Sequence, residues 1–77
     1  MSEITKTIDA RGSYCPGPLM ELIKTMKKSQ VGDILEVWSN DEGSAKDIPV
    51  WVKKMGHDME HSIKEFDYWK IAVKKMK

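Results

Sequence analysis

The spacing of apolar residues changes repeatedly along this chain, and that change limits the possible folds more than any other feature. Two stretches carry apolar residues three and four positions apart, as on one face of a helix: Leu19, Leu22, Ile23 and Met26, then Ile48, Trp51, Val52 and Met55. Shorter alternating runs, typical of strands, surround them at residues 5–9, 34–39, 59–63 and 69–73. The predicted order is β-α-β-α-β-β.

Two helices with one apolar stripe each are best buried together against a sheet. We therefore predict an α/β (α+β) two-layer sandwich, with two helices packed on one face of a four-stranded mixed sheet. The first two strands should be parallel through a right-handed helical crossover, and the last two should form a hairpin. In the third strand, Met59, His61 and Ile63 are predicted to alternate on one face.

The length and the charge exclude several classes of protein. A chain of 77 residues has room for one core, so residues 1–77 are predicted to form a single domain. Its 13 basic and 12 acidic residues are spread evenly, which disfavours a dedicated nucleic-acid binder. There is neither a signal-like segment nor an apolar run long enough for a membrane span. One cysteine cannot form an internal disulfide, so a cytoplasmic location is expected.

The sequence Cys15-Pro16-Gly17-Pro18 opens the first predicted helix. Pro16 suits the first helical position and Pro18 the first turn, so Cys15 is expected at the N-cap. Unpaired amides and the positive end of the helix dipole lower the pKa of a thiol there and make it more reactive. A buried, inert cysteine is the alternative interpretation. The two prolines and the position at a helix start favour a functional thiol.

Position 18 is occupied by a proline, where a thioredoxin-type motif would have its second cysteine, and no other cysteine is present. A dithiol–disulfide cycle within one chain is therefore impossible. A lone reactive thiolate can instead take a sulfur atom from a donor, hold it as a persulfide and pass it to another thiol.

The strand order also predicts where this cysteine lies. In consecutive parallel strand–helix units, both helices begin at the same edge of the sheet. Cys15 and the loop at 41–44, where Ser44 to Asp47 resemble a capping box, should therefore share one end of the molecule. Asp41, Glu42 and Asp47 would cap the second helix there and would also oppose a thiolate by like-charge repulsion. Gly56 is placed to end that helix.

Several separate motifs together resemble the TusA/SirA family. They are Asp9-Ala-Arg-Gly12, Cys15-Pro-Gly-Pro18, Asp41-Glu-Gly-Ser44, Asp47-Ile-Pro49 and Gly56-His57, and they span nearly the whole chain. The resemblance implies a two-layer α/β sandwich and a sulfurtransferase-type carrier. Its catalytic residue would be Cys15, supported by Pro16, Gly17 and Pro18, and would accept sulfur as a persulfide or a thiosulfonate and pass it to an acceptor thiol. Residues Arg11, Gly12, Asp41, Gly43 and Ser44 would form the docking face.

The family resemblance also implies the partners. A cysteine desulfurase or rhodanese-like protein would donate sulfur, and a DsrE/TusD-like protein with a reactive cysteine would accept it; no cofactor is expected. Two positions depart from the usual pattern: Ser13 replaces an apolar residue, and Val52 replaces the second cysteine of many members. The second departure agrees with a mechanism that uses one thiol.

The remaining chemically distinctive residues have ordinary structural explanations. His57 and His61 lack a third metal ligand in the sequence, so no metal site is predicted. The methionines of the apolar stripes are expected to fill the core, and the three tryptophans to pack in the core or at its rim. Lysine pairs at 27–28 and 53–54 would stabilise helix C-termini. The same charges can attract an acidic partner over a long range.

Two alternatives to a sulfur carrier stay open. One is a non-catalytic regulatory adaptor in which Cys15 is only structural, and the other is an RNA-binding module of similar fold. Serine caps helices well but cannot carry a persulfide, so Cys15→Ser separates the carrier from both alternatives.

Overall fold

The structure is a computed structural model, which describes residues 4–14 and 16–77. Its elements are β1 (Lys6–Asp9), α1 (Gly17–Lys28), β2 (Ile34–Ser39), α2 (Glu42–Met55), β3 (Asp58–Lys64) and β4 (Trp69–Lys74). The predicted order of strands and helices is confirmed. No helix in the described part of the chain is long and apolar enough to cross a membrane.

The four strands form one mixed sheet in the order β1-β2-β4-β3. β1 and β2 are parallel, and β3 and β4 form an antiparallel hairpin, as predicted. β4 also pairs with β2, from Ser39 opposite Trp69 to Ile34 opposite Lys74. The hairpin thus adds to the sheet through its second strand, which places β3 at the edge.

Both helices cover the same face of the sheet. Leu22 and Met26 of α1 and Ile48 and Val52 of α2 are buried in one cluster with alternate strand residues: Ile8, Leu35, Val37, Ile71 and Val73. Trp51 and Trp69 pack against this cluster and are partly buried. The predicted helix stripes and the alternation in β4 are therefore confirmed, although Met55 is largely exposed at the end of its stripe.

The predicted alternation in the third strand is wrong after Met59, because β3 contains a bulge. Met59 lies opposite Val73, whereas His61 lies opposite the next residue of β4, Ala72. The extra residue, Glu60, shifts the following side chains to the other face. His61 and Ile63 consequently lie on the face without helices.

That open face carries a hydrogen-bonded chain of side chains. The buried carboxylate of Glu36 accepts a bond from Trp38 Nε1 at 2.7 Å, and its other oxygen lies 2.8 Å from His61 Nε2. Trp38 therefore packs on the open face of the sheet rather than in the core between the sheet and the helices.

Both helices begin at a residue other than the predicted one. The N-cap of α1 is Pro16, one residue after Cys15, which was predicted to be the N-cap, and no side chain among the described residues caps this helix. The N-cap of α2 is Asp41, so its first turn includes Gly43 and Ser44, which were predicted to lie in or next to the loop. Asp41 Oδ2 accepts bonds from the backbone N–H of Ser44 at 3.0 Å and from its hydroxyl at 2.8 Å. Gly56 ends α2 in the left-handed conformation, as predicted.

We expect Asp41→Ala to lower the free energy of unfolding by about 1 kcal/mol, because it removes the side-chain cap of α2. Asp41→Ser should restore most of the loss, since a serine hydroxyl can also accept a bond from the third helical N–H. Urea unfolding measures both variants. The control is Asp58→Ala at the exposed start of β3. A loss for this control as large as that for Asp41→Ala would contradict the assignment of the cap.

Candidate functional site

Three segments meet at the edge of the sheet where β1 and β2 end. The first is the loop 10–14 before α1, and the second is 39–44, which connects β2 to the first turn of α2. The third is the β3–β4 turn, residues 65–68, because β3 runs parallel to β2. We call these three segments the cysteine edge, after the position of Cys15 in the chain. Cys15 itself lies outside the described residues.

Hydrogen bonds from backbone N–H groups join the loop 10–14 to the end of β2 and to the residue that follows it. The N–H of Ala10 donates to Trp38 O at 2.9 Å, and the N–H of Gly12 donates to Asn40 Oδ1 at 3.0 Å. Gly12 has φ +92°, a conformation that side chains with a Cβ rarely adopt. The predicted docking residues Arg11, Gly12, Asp41, Gly43 and Ser44 are therefore brought to one edge.

Arg11 attaches the loop to the open face of the sheet. Its guanidinium binds both carboxylate oxygens of Asp9 at 2.9 Å. The same group lies 5.1 Å from the ring centre of Trp38 and 4.9 Å from that of Tyr68. The bond from Arg11 holds the pKa of Asp9 below its ordinary value, so the pair stays charged at neutral pH. Arg11 thus connects β1, β2 and the β3–β4 turn.

The start of α1 packs closely against the same loop. The N–H of Gly17 donates to Tyr14 O at 2.7 Å. A Cβ added at Gly17 would lie 3.2 Å from Ser13 Cβ, so a larger residue would press on the loop. Pro18 is buried, which anchors the first turn. Gly17 and Pro18 therefore support the loop that precedes them.

The electrostatic setting of α1 differs from that of α2. The first turn of α1 has no acidic residue, and within residues 4–14 and 16–77 it has no side-chain cap, so its positive end is not neutralised from within the helix. Asp41 caps α2, and Glu42 pairs with Lys46 at 3.2 Å. These contacts of Asp41 and Glu42 lie within the first turns of α2.

Large apolar side chains are exposed on the cysteine edge and on the first turn of α1 next to it. Tyr14 is 80% exposed, Phe66 96%, and Met20, in the first turn of α1, 58%. Phe66 was not among the docking residues predicted from the sequence, because only the two strand–helix units were used to place segments at this edge. The strand directions contained the missing signal: a strand that follows α2 must run parallel to β2, so its hairpin turns at this edge.

The two histidines lie away from this edge or on the open face of the sheet. His57 follows the C-terminus of α2, and its Nδ1 accepts a bond from the N–H of Met76 at 3.1 Å. His61 is bound to Glu36. Within residues 4–14 and 16–77, no group of three or more metal-binding side chains is arranged to hold an ion.

Comparison with known proteins gives consistent similarities. The family model described as Sulfurtransferase TusA matches residues 6–75. A protein of Archaeoglobus fulgidus named as a candidate sulfur carrier is 66% identical over 91% of this chain and 96% of its own length. The sulfur carrier protein TusA of Allochromatium vinosum is 31% identical over 97% of this chain and 99% of its own.

A solved structure shows the same fold. The crystal structure of a SirA-like protein from Desulfitobacterium hafniense superposes with a TM-score of 0.82 at 20% identity. The match covers 94% of this chain and 99% of that chain.

We expect Arg11→Ala to loosen the loop before α1, because it removes the Asp9 pair and both ring contacts. Amide hydrogen exchange at Gly12 and Ser13 should become at least about fivefold faster, because the loop then opens more often. The matched control is Lys64→Ala, which removes a cation 4.9 Å from the ring of Trp69. Unchanged exchange in Arg11→Ala would show that Arg11 does not hold the loop.

We expect His57 to titrate below its ordinary pKa of 6.5, because burial and the charges of Lys75 and Lys77 disfavour its protonation. The unfolded chain then binds this proton first as pH falls. The contribution of His57 to stability is therefore complete above pH 6.5 and decreases as pH falls from there through the folded pKa. His57→Asn should remove this pH-dependent part, and NMR titration of the ring measures the pKa directly. A midpoint at or above 6.5 would contradict the expectation.

Proposed function

This chain belongs to the TusA family of sulfurtransferases, which includes sulfur carrier proteins, and we propose that it carries sulfur as a persulfide on Cys15. The observation that carries the proposal is the exposure of Tyr14 and Pro16, which flank Cys15 in the chain at the start of α1, a helix with no acidic residue in its first turn. A transferable group needs such an open position, since donor and acceptor proteins must both reach it.

The proposed loading step exchanges one sulfur–sulfur bond for another. The Cys15 thiolate attacks the terminal sulfur of a donor persulfide and forms a new S–S bond. The donor's S–S bond breaks, and its cysteine leaves as a thiolate. The total of thiols and persulfides is unchanged, so no external oxidant or reductant is required. Delivery is the same exchange, with an acceptor cysteine as the attacking thiolate.

The chain itself contributes position and electrostatics to this exchange. The positive end of α1, without an acidic residue in its first turn, favours the thiolate over the thiol. The Arg11 contacts and the Gly17–Ser13 packing hold the segments before and after Cys15. Because the chain has a single cysteine, the adduct has no internal thiol with which to form a disulfide.

The proposed partners are those that the family resemblance implies. The donor is a protein that forms a persulfide, of the cysteine desulfurase or rhodanese type, and the acceptor is a DsrE/TusD-like protein with a reactive cysteine. Exposed Tyr14, Met20 and Phe66 extend the docking face beyond the residues predicted from sequence. Aromatic and methionine side chains are typical anchors of protein interfaces. A reducing cytoplasm is the compartment in which such a carrier operates.

Incubation with a persulfidated rhodanese-type protein should add about 32 Da per chain, the mass of one sulfur atom on a thiol. Intact-mass spectrometry, followed by peptide mapping to Cys15, measures this product. A thiol reductant should remove it.

The matched variant is Cys15→Ser, which changes one atom and should keep the wild-type circular dichroism and unfolding midpoint. It should gain no mass. Loading of this variant, or a wild-type chain that no persulfide donor loads, would refute the carrier proposal and favour the regulatory adaptor.

A further inference from the structure

A cavity of about 250 Å³ lies between the C-terminal halves of α1 and α2, at the end of the molecule opposite the cysteine edge. The chain's last residues complete its wall, and eight residues line it: Ile23, Met26, Lys27, Trp51, Met55, His57, Lys75 and Lys77. We call this cavity the lysine cleft. None of the residues that line it is acidic.

The inner wall of the lysine cleft is apolar. Met26 is buried, and Ile23 and Trp51 are partly buried. The Trp51 ring lies 5.7 Å from the His57 ring, in a tilted arrangement. Met55, at 46% exposure, leaves a flexible apolar side chain at the opening. An apolar group that entered here would exchange water for these side chains.

The rim is cationic, and part of it is held in place. Lys75 Nζ donates to Met26 O at 2.8 Å and to Ser29 O at 2.6 Å, where it caps the end of α1. The Lys77 side chain passes over Gly56, 3.0 Å from the point where a Cβ would lie. Lys27 completes the rim from α1. The low pKa of His57, caused by burial and then by Lys75 and Lys77, agrees with a positive local potential.

Lysines in the last turn of a helix offset its dipole, and this explains Lys27, Lys28, Lys53 and Lys54. Lys77 lies outside both helices, and Lys75 brings a further charge to the same opening. Since Lys75 also caps α1, Lys77 is the lining cation that neither helix C-terminus explains.

We propose that the lysine cleft binds an acidic peptide segment of a partner protein, with one apolar side chain inserted in the cavity and carboxylates beside the lysines. The volume fits one large side chain and is smaller than the roughly 300–1,000 Å³ of most small-molecule pockets. The inference does not depend on Cys15. A partner held here would leave the cysteine edge free for a second protein.

The test uses the full chain labelled with ¹⁵N and an acetylated, amidated peptide, Asp-Glu-Phe-Glu-Asp. At low salt its addition should shift the amide signals of Ile23, Lys27 and His57 and the indole signal of Trp51. Binding should weaken at higher salt, since exposed charges contribute to it. A peptide with serine in place of phenylalanine should bind at least about tenfold more weakly, a difference of about 1.4 kcal/mol.

Two pairs of variants locate the binding. Lys27→Glu with Lys77→Glu should abolish it, whereas Lys46→Glu with Lys64→Glu, which changes the net charge equally, should keep it. Met55→Ser should weaken it without any change of charge, and Met20→Ser, an exposed methionine of α1 at the other end, should not. All four positions in the charge variants are exposed, so these variants should fold.

Three results would overturn the proposal. They are no shift with the phenylalanine peptide at low salt, shifts centred on the cysteine edge, and equal losses in the two charge-reversal variants. Each can occur while Cys15 still loads sulfur normally, so the two proposals fail independently.

Discussion

The parallel pairing of β1 with β2 is the constraint on which the rest of the structure depends. It requires a crossover, and α1 supplies it, which brings the start of α1 to the carboxyl ends of both strands. The same direction places the N-cap of α2 and the β3–β4 turn at that edge. Arg11 then joins β1, β2 and this turn with one side chain. The position of the loop 10–14 is thus a consequence of strand direction, and local contacts refine it.

The periodicity of apolar residues predicted the elements, the two helix stripes and the hairpin. Each of these depends on apolar residues that are close in sequence and share one buried face. The bulge at Met59–His61 could not be predicted in this way. It depends on how β3 pairs with β4, and β4 with β2, so the alternation of β3 alone does not reveal it. The helix starts differ by one to three residues for a similar reason, since Asp41 and Ser44 both suit an N-cap and only the bond geometry distinguishes them. For the site, the sequence predicted that Arg11, Gly12 and Asp41 lie at one edge. Placing Phe66 at the same edge also requires the direction of β3.

Several lysines that are far apart in the sequence are brought together in the fold. Residues 1–40 and 41–77 have nearly equal numbers of acidic and basic side chains. The helix C-termini and the last residues of the chain nevertheless bring lysines from three distant segments to one end. Exposed Tyr14 and Phe66 lie at the other. A small carrier that must exchange partners benefits from two chemically different ends, since recognition at one need not obstruct transfer at the other.

The most direct test of the carrier account follows a loaded chain after its donor has been removed. A persulfidated sample is purified, kept without any thiol, and then mixed with an equimolar acceptor protein that has one reactive cysteine. The account predicts that the adduct persists until the acceptor is added. It also predicts that the acceptor then gains sulfur one for one as the chain returns to its unmodified mass. Spontaneous loss of the sulfur, or an acceptor that gains none while the chain stays loaded, would contradict the account.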